Sequence, residues 1–236
     1  MENEAPARKE RGAITVYQAL REEILTLARE PGSALDEMSI AKAFNMSRTP
    51  VREAIFMLSG EGLVRVLPNR SSIVSPLSMH RMNDLLDTWL ILTRAVLIDA
   101  AHRRTPADVA NLRARCDAFA ATTESGDQMK IATALLELQL EYRVVARNFF
   151  LAWFYPQILD AGRRTLLLHY FPYATPEDLA YQVKAHTAII DAVEREDIAA
   201  CNRIAGEKIA DVLRVIKTSL EPSIADDVDL STAPLS

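Results

Sequence analysis

The chain has 236 residues, of which 49% are hydrophobic and 25% are charged, and its formal net charge is −5. This length and composition predict a folded protein with more than one domain and exclude a chain that is disordered throughout. No apolar run reaches the ~18 residues of a membrane span, and the first residues do not resemble a signal peptide. Two cysteines, Cys116 and Cys201, make no disulfide framework, so we expect a cytoplasmic protein.

Positive charge is not concentrated in any one part of the sequence. Basic and acidic residues balance over residues 1–78, and much of the acidic excess lies in residues 221–236. Contact with nucleic acid would therefore depend on individually placed side chains and on pairing two modules, not on a broad basic field. Residues 1–11 and the acidic tail 222–236 are predicted to be disordered.

A helix-turn-helix is predicted over residues 39–55. Pro50 suits the first position of the second helix, where its missing N–H costs nothing, and Thr49 before it can act as the cap. An apolar stripe with helical spacing follows, made of Val51, Ala54, Ile55 and Leu58.

Two arginines, Arg48 and Arg52, stand at the leading end of that second helix. Cations at a helix N-terminus oppose the helix dipole, which points to a partner outside the chain. Guanine is a suitable partner because Arg binds its O6/N7 edge with two hydrogen bonds, and the leading residues of a recognition helix reach base edges. The pattern therefore predicts that Arg48 and Arg52 read DNA bases.

A two-stranded hairpin is predicted directly after this helix. Residues 63–67 and 73–75 read as strands, and residues 68–72 read as the turn between them. Such a hairpin behind a recognition helix is a wing, and Arg70 at its tip is placed to enter a minor groove or to hold phosphate.

Residues 12–76 resemble the winged-helix domain of the GntR superfamily, FadR-like branch. The residues that carry the resemblance are Pro31-Gly32, Ile40-Ala41, Ser47-Arg48-Thr49-Pro50-Val51-Arg52-Glu53-Ala54, Glu61-Gly62-Leu63-Val64 and Pro68-Asn69-Arg70. The resemblance implies that Ser47, Arg48, Thr49 and Arg52 contact DNA.

The same resemblance assigns a supporting DNA contact to the wing tip at Asn69 and Arg70. One position departs from the family pattern, because Met38 stands where members can carry a further DNA-contacting arginine near the start of the second helix of the domain. Operator affinity or operator sequence is therefore expected to differ.

Residues 77–221 are predicted to be an antiparallel all-α bundle of about six helices, so the whole chain is expected to be mostly α. The predicted helices cover about 81–101, 106–123, 127–148, 150–170, 176–194 and 197–219. This segment resembles the FCD effector domain, most clearly in His186 and in residues 189–200. The resemblance implies effector binding and dimerisation.

Many FCD domains hold a metal ion with one Asp and three His, and only His186 of that set is clearly present. Lys208 stands where the last His would fall, and the helix around residues 135–142 offers Leu135, Leu138, Gln139 and Tyr142. A protonated lysine is a poor metal ligand, so we expect no metal and no other cofactor.

Trp89, Tyr142, His186 and Lys208 are the candidate effector-binding residues. A cation and a polar group inside an apolar bundle would suit an anionic ligand, such as a carboxylate or an acyl derivative. Three of them also have an ordinary explanation: Lys208 can extend its amine to solvent, and His186 and Trp89 can be core residues.

The sequence contains no Gly-rich phosphate loop, nucleophile elbow or HExxH motif, so an enzyme is not expected. We therefore expect a homodimeric regulator, a repressor by family habit, that binds a pseudo-palindromic double-stranded DNA operator and responds to a small-molecule effector. The alternatives are a helical protein-interaction module or metal-sensing regulator with no organic effector, and an all-α enzyme with an appended DNA-binding domain.

Overall fold

A computed structural model describes residues 4–220, except for the side chains of residues 4–10 and of Met79. Within that range the chain forms an N-terminal winged helix-turn-helix followed by a helical bundle, as predicted. The elements are α1 (Glu4–Leu25), β1 (Ala34–Leu35), α2 (Glu37–Ala43), α3 (Arg48–Gly60), β2 (Val64–Val66), β3 (Ser72–Val74), a 3-10 turn (Met79–Arg81), α4 (Met82–Arg103), α5 (Pro106–Thr122), α6 (Gln128–Ala146), α7 (Phe149–His169), α8 (Pro176–Glu194) and α9 (Ile198–Leu220).

The N-terminal module has its own apolar core, formed where α1, α2 and α3 pack together. The buried side chains include Val16, Leu20, Ile24, Ile40, Val51, Ala54, Ile55, Leu58 and Val74. The stripe predicted on α3 is therefore the face that the helix buries, which leaves its opposite face, with Arg52, exposed.

Helix α1 corrects the prediction at the N-terminus. It begins at Glu4, so most of the segment 1–11 that was expected to be disordered is helical. The helix ends at Leu25, because Leu27 takes a left-handed conformation with φ of 62° and the chain then turns well before Pro31. The predicted disordered tail, residues 222–236, lies outside the described residues.

The predicted wing is present, and a third strand joins it. Strand β3 lies between β1 and β2 in an antiparallel sheet, with Ala34 opposite Ile73 and Val66 opposite Ser72. Pairing with β1 ties the hairpin to the segment just before α2. The wing is therefore fixed relative to the helix-turn-helix.

The six helices α4–α9 form the predicted bundle, and α4 runs through it in contact with α6, α7, α8 and α9. Local sequence sets the helix starts. Thr105 and Thr175 each cap a helix in a reciprocal capping box with the aspartate three residues later, and a proline follows each threonine. Asp127 and Asn148 cap α6 and α7 with their side-chain oxygens.

Candidate DNA interface and buried polar cluster

The leading turn of α3 begins without a side-chain cap. Ser47 occupies the cap position in an extended conformation, with φ of −71° and ψ of 167°, and its side chain makes no capping hydrogen bond. The cap, Ser47, lies two residues before the predicted cap, Thr49. Arg48 is thus the first helical residue and Pro50 is the third. Pro50 is tolerated there because the first four N–H groups of a helix have no partner within it.

Arg48 and Arg52 both reach outward from α3, and their side chains are 56% and 68% exposed. Glu37, the first residue of α2, bridges them. Its Oε2 accepts from Arg48 Nη2 at 2.8 Å and from Arg52 Nη2 at 3.1 Å, and its Oε1 accepts from Arg52 Nε at 3.3 Å. The hydrogen bond from Arg52 is the main influence that holds the pKa of Glu37 below its usual range, although partial burial opposes it.

The predicted wing contacts lie at the tip of the hairpin, and both are exposed. Asn69 uses its side-chain oxygen within the turn, where it accepts from Ser71 N at 3.1 Å and from Ser71 Oγ at 2.7 Å. Arg70 has a φ of 65°, a conformation that non-glycine residues seldom adopt. The turn therefore holds the Arg70 backbone in one place while its side chain points away from the core.

Two further features of this surface were not singled out in the sequence. Glu37 lies eleven residues before Arg48, and nothing in its spacing marks it as a partner of that residue. Phe56 lies one turn after Arg52 on α3 and is 77% exposed, which the apolar stripe of the helix does not explain. Met38, which the sequence did single out, lies at the second position of α2 and is largely exposed.

The candidate effector residues come together inside the bundle. Trp89 on α4, Tyr142 on α6, His186 on α8 and Lys208 on α9 are all buried. Tyr142 Oη lies 3.3 Å from His186 Nδ1, and the two rings stack with centroids 5.9 Å apart. Lys208 Nζ lies 6.0 Å from the centre of the Trp89 ring. We call these four residues the polar cluster.

The polar cluster is electrostatically unfavourable as it stands. Burial lowers the pKa of Lys208 to about 8. Burial, followed by the charge of Lys208, lowers the pKa of His186 well below its usual value. Within the described part of the chain, His186 Nε2 and Trp89 Nε1 are buried without a hydrogen-bond partner. Buried polar groups left in this way cost free energy, which a ligand that pairs with them would recover.

The side chains beside His186 are a phenol and an amine. Tyr142 and Lys208 are its neighbours, and an ammonium group repels a cation. Over residues 4–220, no three His, Cys, Asp or Glu side chains are grouped so that they could hold a metal ion.

Polar contacts join the winged helix to the bundle. Arg21 on α1 pairs with Glu61 at 3.1 Å within its own module and with Asp160 on α7. Arg164, also on α7, donates to the backbone oxygen of Ser75 at 2.7 Å. Burial raises the pKa of Asp160 to about 6, although the Arg21 charge acts against the shift. An open cleft of about 750 Å³ lies beside these residues.

The same helix α7 also touches the polar cluster. A Cβ on Gly162 would lie 2.8 Å from Cζ3 of Trp89, so the indole packs directly on the helix backbone at that point. Asp160 and Arg164 are each two residues from Gly162. One short segment of α7 therefore contacts both the cluster and the DNA-binding module.

No helix found between residues 4 and 220 has the length and apolar character needed to cross a bilayer. Residues 13–74 match the family described as "Bacterial regulatory proteins, gntR family", and residues 84–211 match the FCD domain. Both regions agree with those that carry the resemblance in the sequence.

Individual relatives agree with this match. The chain is 45% identical over 69 residues to an HTH-type transcriptional regulator in an unstable DNA locus of Streptomyces ambofaciens, covering 29% of each chain. It is 38% identical over 69 residues to the HTH-type transcriptional repressor RspR of Escherichia coli, covering 29% of this chain and 30% of that one. These two matches thus span less than a third of either relative.

The fold extends over nearly the whole of a solved structure, E. coli McbR/YncC, with a TM-score of 0.75 and 20% identity over 88% of this chain and 97% of that one. At this identity the likeness concerns the fold alone. The chain therefore belongs to the gntR family of bacterial regulatory proteins, a family of transcriptional regulators, and more than half of it is an FCD domain.

Proposed function

We propose that this protein binds a DNA operator through α3 and the wing, with Arg48 and Arg52 reading base edges. Ser47, Thr49, Asn69 and Arg70 hold the DNA backbone. The observation that carries this proposal is the exposure of both guanidinium groups on the first turns of a helix whose other face is buried. The leading residues of a recognition helix occupy this position in the major groove.

Binding to DNA tests this assignment directly. Arg52→Ala is expected to weaken binding to a selected operator by roughly 5- to 150-fold, because a bidentate Arg–guanine contact contributes roughly 1–3 kcal/mol of discrimination. Arg203→Ala on α9 removes the same charge from an exposed site in the bundle and serves as the control. An Arg52→Ala protein that is folded and still binds the operator as tightly as the control would refute the assigned role.

The proposal includes a homodimer. Two copies related by a two-fold axis would place one recognition helix on each half-site of a pseudo-palindromic operator. We propose that a second copy of the chain packs against an exposed aromatic ridge at the start of α7. The ridge is formed by Phe149, Phe150, Trp153 and Phe154. These side chains are between 53% and 74% exposed and lie on one face of the helix. Ile91, on the neighbouring helix α4, is also exposed and apolar. A contiguous apolar patch of this kind usually marks an interface.

An anionic small molecule, a carboxylate or an acyl derivative, is the effector class proposed for the polar cluster. Lys208 supplies a cation, and the unpaired nitrogens of His186 and Trp89 supply hydrogen-bonding groups in an apolar enclosure. A thermal-shift screen of short and long carboxylates tests this, because a ligand stabilises the state that it binds. Lys208→Met should abolish any shift that the wild-type protein shows. A shift of equal size in that variant would contradict the site.

Helix α7 is the proposed path from the effector to DNA. A ligand that displaces Trp89 would shift α7 at Gly162, against which the indole packs. Two residues away on either side, Asp160 binds Arg21 and Arg164 binds the Ser75 backbone, so the shift reaches the winged helix. Repression relieved by ligand is the proposed sign. With Asp160→Asn and Arg164→Ala combined, a stabilising carboxylate should still bind but no longer change operator affinity. Unaltered coupling in this double variant would exclude the path.

The regulator is proposed to act in the cytoplasm, without a resident metal and without catalytic activity. The lysine and tyrosine around His186 favour an organic ligand over a cation. Elemental analysis of the purified, tag-free protein checks this point. One stoichiometric zinc or nickel ion per chain would overturn the metal-free assignment and favour a metal-sensing regulator.

A further inference from the structure

The carboxylate of Glu37 lies between the two arginines that the proposed function aims at DNA. Its side chain is 19% exposed, far less than that of either arginine, so it lies beneath the two guanidinium groups. Glu37 is not the cap of its own helix, because Asp36 takes that role and accepts from Ser39 N at 2.8 Å. The placement of Glu37 is therefore not explained by helix capping.

Glu37 lies in the first turn of α2, where the helix dipole favours an acid, and it also lies against two positive charges. Arg48 and Arg52 are four residues apart on one helix, where like charges repel, and both stand near an N-terminus that disfavours cations. The Glu37 carboxylate offsets both effects. The two arginines alone carry two positive charges, and together with Glu37 the group carries one.

The hydrogen-bond pattern leaves both arginines able to bind a base. Each guanidinium has five N–H donors. Glu37 takes a hydrogen bond from Arg48 Nη2 alone, and from Nε and Nη2 of Arg52. The Nη1 donors of both groups remain available, together with the second hydrogen on each Nη2. Each arginine can thus bind a base edge, while Glu37 fixes the plane of the Arg52 guanidinium through two hydrogen bonds and holds that of Arg48 at one nitrogen.

We infer that Glu37 is a positioning residue that sets DNA specificity, by orienting Arg48 and Arg52 and by withdrawing positive charge from the interface. This inference rests on the proposed operator binding. Phosphates are present in every sequence, so a carboxylate beside the arginines weakens binding to all DNA. Base-edge hydrogen bonds exist only on the operator and gain from arginines that are already oriented. Glu37 therefore lowers non-specific affinity more than specific affinity.

Glu37→Gln tests this in the full-length protein, with Glu22→Gln on α1 as the control. Glu22 is exposed and lies in the same module, so the net charge changes equally. Affinity is measured for an operator selected from a random pool and for random duplex of equal length, over a range of salt concentrations. Thermal unfolding of each protein checks that the fold is intact.

For Glu37→Gln, we expect random duplex to bind several-fold more tightly at low salt, with a log K against log salt slope steeper by about 0.9 per added phosphate contact. The ratio of operator to random affinity should fall about tenfold, close to the discrimination of one base contact. Glu37→Asp keeps the charge and should leave affinity for random duplex near the wild-type value.

A ratio within twofold of wild type in a folded Glu37→Gln protein would overturn the inference, as would an equal effect of Glu22→Gln. This outcome differs from failure of the proposed function. If Arg52→Ala also leaves the ratio unchanged, Arg52 does not read a base and the proposed function fails at that residue. If Arg52→Ala destroys operator preference and Glu37→Gln does not alter it, only the role of Glu37 is wrong.

Discussion

At the scale of one residue, Lys208 shows how burying a charged side chain lowers stability. Its side chain is buried on α9 beside Trp89, and burial alone accounts for the lowering of its pKa to about 8. An unfolded chain restores the usual pKa near 10.5. Between these two values the unfolded state binds the extra proton, so the free energy of unfolding rises with pH across that window.

Lys208→Met should remove this dependence. The free energy of unfolding at pH 7 should increase by roughly 3 kcal/mol, because each unit of pKa shift corresponds to about 1.4 kcal/mol. Urea unfolding from pH 7 to pH 10.5 measures the effect, with exposed Lys184→Met as the control. The wild-type and Lys208→Met curves should converge toward pH 10.5. Curves that stay parallel would contradict the buried charge.

The sequence named Lys208 and His186 as candidates to face inward because each shares a helical face with apolar residues, and it left open that the Lys208 amine extends to solvent. It also placed Arg48 and Arg52 on the leading turn of α3. Glu37 was missed, because its partners are eleven and fifteen residues away and local periodicity carries no information on such contacts. Side-chain pairing across elements depends on how those elements pack.

At the scale of elements, α7 connects the two halves of the molecule, and its contact with Trp89 requires glycine. Gly162→Ala would place a methyl group 2.8 Å from the indole, and both are held by the bundle core. We expect a loss of roughly 1–3 kcal/mol in the free energy of unfolding, as for other overpacked cores. Gly206→Ala is the control, because its new methyl would meet only the end of the Arg94 side chain. Equal stability of the two variants would show that α7 can move away from Trp89 at no cost.

Helix boundaries were predictable where local chemistry fixes them. Thr105-Pro106 and Thr175-Pro176 begin α5 and α8 at the expected residues, since a threonine cap and an N-terminal proline act within one turn. Strand β1 was not predicted. It has only two residues, and it is a strand only because its backbone pairs with the edge of β3, which lies far along the chain. The start of α1 was also misjudged, because its polar N-terminal sequence suggested disorder.

The arrangement of the whole molecule depends on contacts that single-sequence reasoning does not reach. Arg21 and Asp160 are 139 residues apart, yet they join the DNA-binding module to the bundle. The exposure of the aromatic ridge on α7 likewise became apparent only when the other helices were packed.

If the aromatic ridge forms the homodimer interface, Phe150→Glu should produce a monomer, because a buried charge without a partner strongly disfavours association. Tyr173→Glu, at another exposed aromatic residue, should remain dimeric. Analytical ultracentrifugation at micromolar concentration distinguishes the two. The monomer should also lose most of its operator affinity, since one module makes only half of the contacts. A dimeric Phe150→Glu protein would place the interface elsewhere.

The base-reading role of α3 is tested most directly by selecting bound duplexes from a random pool. The selection is carried out in parallel with the wild-type protein and with Arg52→Ala. The wild-type protein should enrich an inverted repeat with at least one fixed G·C pair in each half-site. Arg52→Ala should relax that position in both half-sites at once. Enrichment of the same motif by both proteins, or of no motif by the wild type, would contradict the account.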